Sequence, residues 1–376
     1  MEKLRMVDLD GQYKKIKGEI DKAILDVVES TAYINGPEVH SFQKDLENYL
    51  NVKHVIPVAN GTDALQVAMM ALGFKPGDEI ITASFTYVAT AEVIALLQLK
   101  PVLVDVDPLD FCIDPEAVER AITPKTVGIV PVHLFGQCAN MDKIMKIAEK
   151  HNLKVIEDTA QAIGSDYIRD NGQKVKAGTI GTIGATSFFP SKNLGCYGDG
   201  GALYTNDDDL ALKCRSTANH GQSSRRYYHD DIGVNSRLDS IQAAILRIKL
   251  KNLDNYAAAR NKAASYYDKV LGDHPKLKIP VRNSWSKHVF HQYTLQLDGV
   301  NRADLMTHLE SKGIPSMIYY PVPLHFQKAY RDDRYNAGDF PVTEKLCDTV
   351  FSLPMHTELS EEQLKYITDN VLQFIN

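Results

Sequence analysis

Apolar positions recur along the chain with two periods, and the switches between them mark its elements. Ile16, Ile20, Ile24 and Val27 repeat at helical spacing, and after the turn Asn35-Gly36-Pro37 the set Val39, Phe42, Leu46 and Tyr49 does the same. Two amphipathic helices therefore open the chain. Short apolar runs come next at 54–58, 79–83, 101–106, 127–132 and 154–157, separated by helical stretches. That alternation predicts a βα-wound, largely parallel sheet. Residues 237–271 contain almost no breaker and read as one long helix or two abutting ones, connecting two domains. Beyond them the pattern predicts a strand at 289–297, a helix at 303–312, a strand at 316–320 and helices near Thr343 and Glu361, the last opened by a capping box from Ser360 to Gln363. The expected fold class is α/β. A large domain, residues 1–248, carries a mainly parallel mixed sheet flanked by helices, and a smaller α+β domain spans 249–376, with residues 1–16 available to pack on it.

Composition adds exclusions. The chain has 376 residues, 44% hydrophobic and 24% charged, which is ordinary for a soluble globular protein of about two domains. A net charge of -6 gives no support to a nucleic-acid or anionic-membrane partner. The amino terminus lacks an apolar signal core and no apolar run approaches the roughly 20 residues that span a bilayer, so a cytoplasmic location is expected. Five cysteines (Cys112, Cys138, Cys196, Cys214 and Cys347) are scattered without a C-x-x-C pair, and the histidines show no H-x-x-x-H spacing. No metal is expected, and most of the cysteines read as small buried hydrophobes; Cys196, four residues after Lys192, is the exception to watch, with packing favoured over catalysis.

The candidate chemistry centres on 184–206, GATSFFPSKNLGCYGDGGALYTN. Ser187, Phe188 and Phe189 are strand formers leading into Pro190, which cannot continue a ladder, so 191–195 should turn outward and carry Lys192. A lysine amine forms Schiff bases with carbonyl compounds or with pyridoxal phosphate. A solvated loop lysine is the alternative, and the neighbours decide between them. Asn60-Gly61-Thr62-Asp63 joins a strand to a helix, where free amides and the helix dipole make an anion site, or where Thr62 and Asp63 merely cap. Asp158 ends a strand and should point into a site at the sheet's carboxyl edge, where a carboxylate can keep a pyridine nitrogen protonated; capping the next helix is the other reading. Gln161 suits a capping box or a ring contact. Tyr87, in Phe85-Thr86-Tyr87, offers an aromatic face or belongs to the core. Asn235 and Arg237 bring an amide and a guanidinium for anionic oxygens, unless Arg237 pairs with Asp239.

Together the segments NGTDAL (60–65), FTYVATAE (85–92), EDTAQAIGS (157–165), TSFFPSKNLGCYGDGGALYTND (186–207) and GVNSRLDSIQAAIL (233–246) resemble the signature segments of the sugar-nucleotide aminotransferases of the DegT/DnrJ/EryC/StrS group, pyridoxal-phosphate enzymes of fold type I. The resemblance implies pyridoxal 5'-phosphate as cofactor, with Lys192 as the lysine that binds it covalently and Asp158 as the partner of its ring nitrogen. It implies Gln161 at the ring hydroxyl, Tyr87 stacked on the ring, and Thr62, Ser187 and the amides of Gly61 and Asp63 around the phosphate. Asn235 would reach that phosphate from the other subunit of a homodimer. Dehydratases of the group carry histidine where this chain has Lys192, so amine transfer is favoured. HLFGQC (133–138), together with FFPSKNLGCYGDGGA (188–202) and GVNSRLD (233–239), looks most like the subgroup that aminates C3 of a UDP-linked 2-acetamido-hexuluronate in polysaccharide biosynthesis, with L-glutamate as donor. Members acting on dTDP-linked 3-keto or 4-keto deoxysugars share much of the pattern. Arg237, Tyr320 and His325 are the candidates for the sugar, and Arg225 and Arg226 for the diphosphate. Two other classes compete. A cysteine desulfurase would need a remote mobile cysteine, and Cys196 is too near Lys192. A non-catalytic regulator would not need the Lys192 and Asp158 pair.

Overall fold

The computed structural model describes residues 3–222, 225 and 227–376. A seven-stranded sheet runs in the order His54–Val58, Gly201–Thr205, Ile183–Ser187, Lys154–Asp158, Thr126–Val130, Glu79–Ala83, Lys100–Val104. Gly201–Thr205 alone runs against its neighbours; the other strands are parallel. The sheet is near-continuously apolar, as burial on both faces requires. On one face lie the helices Gly61–Ala71, Ala89–Leu96 and Asp208–Ala218, with Leu65, Ala68, Val93 and Leu210 packed on Ile56, Ile156 and Leu203. Val118, Met141 and Ile144 cover Ile81, Ile129 and Val155 from the other.

The opening helices form at Leu9–Ser30 and Pro37–Leu50, the second begun by Pro37 in its first turn and ended at Asn51 in the left-handed conformation. Phe42 is fully buried and meets Phe188 edge to face at 5.4 Å, which packs this helix against the start of the lysine loop.

Residues 237–271 resolve into two helices, Ser240–Leu250 and Leu253–Leu271. No glycine or proline breaks them. Instead Asn252 Nδ2 donates to the Ile248 carbonyl at 3.1 Å, the acceptor its own amide would use in a continuous helix, while that amide turns to Lys249 O at 3.0 Å. The expected boundary at 248/249 falls inside the first helix, where Leu246 and Leu250 pack with Phe42 and Leu46.

The later strands also differ from expectation. Only Tyr293–Leu297 of 289–297 is a strand, because 289–292 crosses the turn at Phe135 and Gly136, with Val289 N donating to Gly136 O and His291 N to Phe135 O. Residues 316–320 form no strand beyond a single bridge from Met317 to Ser352, and the Tyr319–Tyr320 peptide is cis. A three-stranded sheet, Leu277–Lys278, Tyr293–Leu297 and Val350–Leu353, packs with the helices Leu253–Leu271, Arg302–Ser311 and Glu361–Ile375 around Phe351 and Leu364. Leu4 joins this core. The Ser360–Gln363 capping box is present. Unexpectedly, Ser286–Lys287 pairs with Asp166–Ile168, tying the later part of the chain to the earlier. Among the described residues, no helix is long and apolar enough to cross a membrane.

Phe42→Ala removes a fully buried ring and is expected to lower unfolding stability by about 3–5 kcal/mol. The check is the urea midpoint, which should fall with little change in slope.

Candidate active site

All the strands that run parallel end at one edge of the sheet, and ligands of open α/β sheets bind outside that edge. A cavity of about 750 Å³ opens there. Its floor is built from the segments that leave the strand ends: Gly61 to Asp63, Thr86 and Tyr87, Asp158 to Gln161, and Ser187 to Lys192.

Lys192 projects from the excursion that joins Ile183–Ser187 to its antiparallel neighbour. Ser187 pairs with Gly201 at the base, Phe188 N donates to Gly200 O at 2.7 Å, and Lys192 N closes a turn onto Phe189 O at 2.8 Å. Gly195 is needed for that turn, since a Cβ there would lie 2.3 Å from the Pro190 carbonyl oxygen. The residue keeps partial access to solvent through the cavity, yet the protein around its amine pulls the pKa down to about 8, with Asp158 as the opposing influence. Cys196 is buried, its thiol against the carbonyls of Phe188 and Gly198.

Glu157 and Asp158 are adjacent carboxylates with different fates because side chains alternate along a strand. Glu157 points away from the cavity, where it accepts from the amides of Gly178 and Ile180 and bonds His133. Asp158 lines the cavity, with Oδ1 accepting from Ala160 N at 3.0 Å and Oδ2 from Thr90 Oγ1 at 3.1 Å. Burial pushes its carboxyl pKa up, while the Ala160 amide, Lys192 and Thr90 pull the other way.

The anion cradle needs one correction. The cap of the helix Gly61–Ala71 is Asn60, whose Oδ1 takes the Asp63 amide at 2.8 Å, so that amide is not available to a ligand. The Gly61 and Thr62 amides take no acceptor among the described residues, and Gly61, Thr62 and Ser187 all line the cavity. Gly61 packs so closely that a Cβ would lie 2.5 Å from Ser187 Cβ. Two free amides at a helix start, with two hydroxyls beside them, suit a phosphate. Gln161 is clasped at both ends, its Oε1 accepting from Phe135 N at 2.7 Å and its Nε2 donating to Tyr320 Oη at 3.0 Å. Tyr87 is 58% exposed and stands 6.3 Å from the Tyr320 ring, open to a flat ligand. These groups fit pyridoxal phosphate: a cradle for its phosphate, a face for its ring, a carboxylate for its nitrogen and an amine for its aldehyde.

Other expected residues lie elsewhere. Asn235 and Arg237 line a second cavity of about 530 Å³, which shares Asp199 with the first but not Lys192. Arg237 forms no ion pair with Asp239 or any other described residue. His325 is buried behind the site, its Nδ1 2.7 Å from Ser84 Oγ and its Nε2 3.3 Å from Glu344, and does not line the cavity. Arg225 is exposed with its guanidinium 5.8 Å from the Tyr228 ring, and Arg226 lies outside the described residues. Conversely, His291, Gln292 and Tyr319 line the lysine cavity, and no period or motif in the sequence marks them; Asp199, which also lines it, lies within the 186–207 motif without being marked there as a site residue. His291 arrives only because 289–292 crosses the Phe135 turn. No cluster of three metal-ligating side chains occurs among the described residues.

A lysine of lowered pKa facing a buried carboxylate beside an anion cradle, at the carboxyl edge of such a sheet, defines a site for pyridoxal-phosphate chemistry. Residues 14–372 match the DegT/DnrJ/EryC1/StrS aminotransferase family, and the chain belongs to it. It is 46% identical over 364 residues to the UDP-2-acetamido-2-deoxy-3-oxo-D-glucuronate aminotransferase of Pseudomonas aeruginosa, covering 97% of this chain and 98% of that one. It is also 46% identical over 373 residues to a pleiotropic regulatory protein of Geobacillus stearothermophilus, covering 98% of each. The structure of NtdA from Bacillus subtilis, with bound cofactor PMP, superimposes with a TM-score of 0.91 at 32% identity, over 100% of this chain and 86% of that one. The protein is a pyridoxal-phosphate-dependent aminotransferase.

In the cofactor-free chain, acylation of Lys192 monitored by peptide mass spectrometry is expected to titrate with a midpoint near pH 8. Only the neutral amine reacts, and Asp158 favours the charged one, so Asp158→Asn should move the midpoint lower. An unchanged or higher midpoint would show that the two groups do not sense each other.

Proposed function

We propose that this enzyme transfers an amino group from L-glutamate to a nucleotide-linked keto-sugar, with C3 of a UDP-linked 2-acetamido-3-keto-hexuluronate as the preferred acceptor. The observation that carries the reaction type is the meeting of Lys192 and Asp158 in one cavity. Pyridoxal phosphate, when bound, supplies an electron sink for the electron pair left as a carbon-bound proton departs. Lys192 Nζ takes that proton from the amino donor and returns it, as general base and then general acid, and its lowered pKa leaves a useful fraction of neutral amine near pH 8. Asp158 holds the ring nitrogen, Gln161 the ring hydroxyl and Tyr87 the ring face, while Thr62, Ser187 and the Gly61 amide bind the phosphate. Tyr320 stands on the substrate side, oriented by Gln161. The five cysteines are buried and unpaired, as suits a reducing cytoplasm.

The sugar assignment is supported by the likeness to the Pseudomonas aeruginosa enzyme. A uronate carboxylate requires a cation when it leaves water, and a guanidinium fork matches it. Arg237 is half-buried without an anionic partner, in a cavity separate from its own chain's lysine. We therefore assign Arg237 and Asn235 to the lysine cavity of a second subunit in a homodimer. A regulatory role is the second reading, favoured by the likeness to the Geobacillus protein. A protein that only regulates would not change its visible absorbance when glutamate is added.

Mass-spectrometric turnover against UDP- and dTDP-keto-sugars tests the acceptor. Arg237→Lys is expected to reduce the uronate half-reaction tenfold to a hundredfold, corresponding to a charge-assisted hydrogen bond of about 1.5–3 kcal/mol, and to leave the glutamate half-reaction nearly intact. Equal losses would put Arg237 on the glutamate carboxylate or in the fold, and preference for a dTDP-deoxysugar would remove the uronate assignment.

Lys192→Ala is expected to be inactive. Mixed and refolded with an inactive Asn235→Ala chain, it should recover roughly a quarter of the parent rate, because random pairing gives heterodimers with one intact site. Mixed dimers no more active than either parent would rule out shared sites.

A further inference from the structure

Three threonines beyond the first turn of their helices give the hydroxyl proton to the carbonyl four residues back: Thr307 to Ala303 at 2.9 Å, Thr349 to Lys345 at 2.8 Å and Thr368 to Leu364 at 3.0 Å. Thr90 does otherwise. It lies in the first turn of Ala89–Leu96, and its Oγ1 donates at 3.1 Å to Oδ2 of Asp158, at the end of a strand 68 residues further on. Both side chains are buried, Thr90 at 1% exposure.

The second carboxylate oxygen, Oδ1, accepts from Ala160 N at 3.0 Å. Among the described residues these are the two hydrogen bonds of the carboxylate, one from the backbone and one from a side chain. Both favour the charged form, which burial opposes. The titratable groups that face Asp158 are Lys192 and Tyr320 in the cavity, Tyr204 on the strand Gly201–Thr205, and His133, whose backbone amide donates to the Asp158 carbonyl at 3.0 Å. None of them bonds the carboxylate. Because the two donors come from different elements, the helix Ala89–Leu96 and the segment after the strand, they fix the plane of the carboxylate as well as its charge. Turning that plane would break both bonds.

We propose that Thr90 is a positioning residue for Asp158: its hydroxyl, bound to Oδ2 while the Ala160 amide holds Oδ1, keeps the carboxylate ionised and turned to receive the ring nitrogen of pyridoxal phosphate. The proposal rests on reading Asp158 as the partner of that nitrogen and is independent of the sugar. The hydroxyl and the methyl of the threonine make opposite demands on substitution. Thr90→Val keeps the shape and loses the donor, Thr90→Ser keeps the donor and loses the methyl, and Thr90→Ala loses both and should follow Thr90→Val. A residue that only packs would tolerate valine better than serine.

The first readout is the ionisation of Asp158 in the full-length, cofactor-free chain, followed against pH by carbon NMR of isotope-labelled aspartate carboxyls. The Asp158 resonance is the one missing from Asp158→Asn. Loss of a donated hydrogen bond disfavours the carboxylate, so the midpoint should rise in Thr90→Val and Thr90→Ala by about one pH unit, a tenfold change in ionisation, and stay close to the parent in Thr90→Ser. The second readout is release of pyridoxamine phosphate from the loaded enzyme, expected to be roughly tenfold faster in Thr90→Val and nearly unchanged in Thr90→Ser. A midpoint unmoved in Thr90→Val and Thr90→Ala, or moved as far in Thr90→Ser, would overturn the proposal by making Thr90 a packing residue. So would unchanged release from Thr90→Val where Asp158→Asn loses the ligand quickly. Release from Asp158→Asn at the parent's rate would instead overturn the reading of Asp158, so the two failures are distinguishable.

Discussion

A carboxylate and an amine share one low-dielectric cavity, and each keeps the other from settling into its preferred form. Burial alone would protonate Asp158 and deprotonate Lys192. Their mutual attraction opposes both, with Ala160 N and Thr90 Oγ1 holding the carboxylate oxygens. The amine is left near the point of half-ionisation at pH 8, where it can serve as nucleophile and as acid or base. That balance depends on geometry fixed by the sheet, since Asp158 pairs with Ala185 in the neighbouring strand, two residues before Ser187.

Much of this was legible in the sequence, and the boundary of legibility has a physical cause. The strands His54–Val58 and Glu79–Ala83, the helix start at Gly61, the strand ending at Asp158 and the outward turn at Lys192 all follow from local pattern, and all reappear in place. What failed depended on distant partners or on a choice between near neighbours. Asn60 rather than Thr62 or Asp63 caps the helix, a choice among adjacent side chains that composition does not decide. The interruption at Asn252 comes from one side-chain bond to Ile248, invisible to helix propensity. His325 lies in the short 3-10 helix Leu324–Phe326 and is turned onto Ser84 and Glu344, while His291 lies in the irregular crossing before Tyr293–Leu297 and is turned into the cavity, because different segments receive them.

The alternation rule accounts for the sharpest discrimination. Glu157 and Asp158 differ by one methylene and one position, yet one is sealed among amides and His133 while the other faces the ligand space. A slip of one residue in this strand would exchange them. The amide bonds to Glu157 therefore secure the register as well as the fold, by making the alternative leave a buried carboxylate without donors.

The walls of the lysine cavity come from stretches of chain far apart in sequence. One wall, with Gly61, Asp158 and Lys192, issues from the sheet edge; the other, with His291, Gln292, Tyr319 and Tyr320, comes from segments beyond the paired helices. Descendants of such a chain can vary the second wall to suit a new acceptor while inheriting the first unchanged. The contact of Asn193 with Val289 and His291, and that of Gln161 with Tyr320, are the points where this freedom ends.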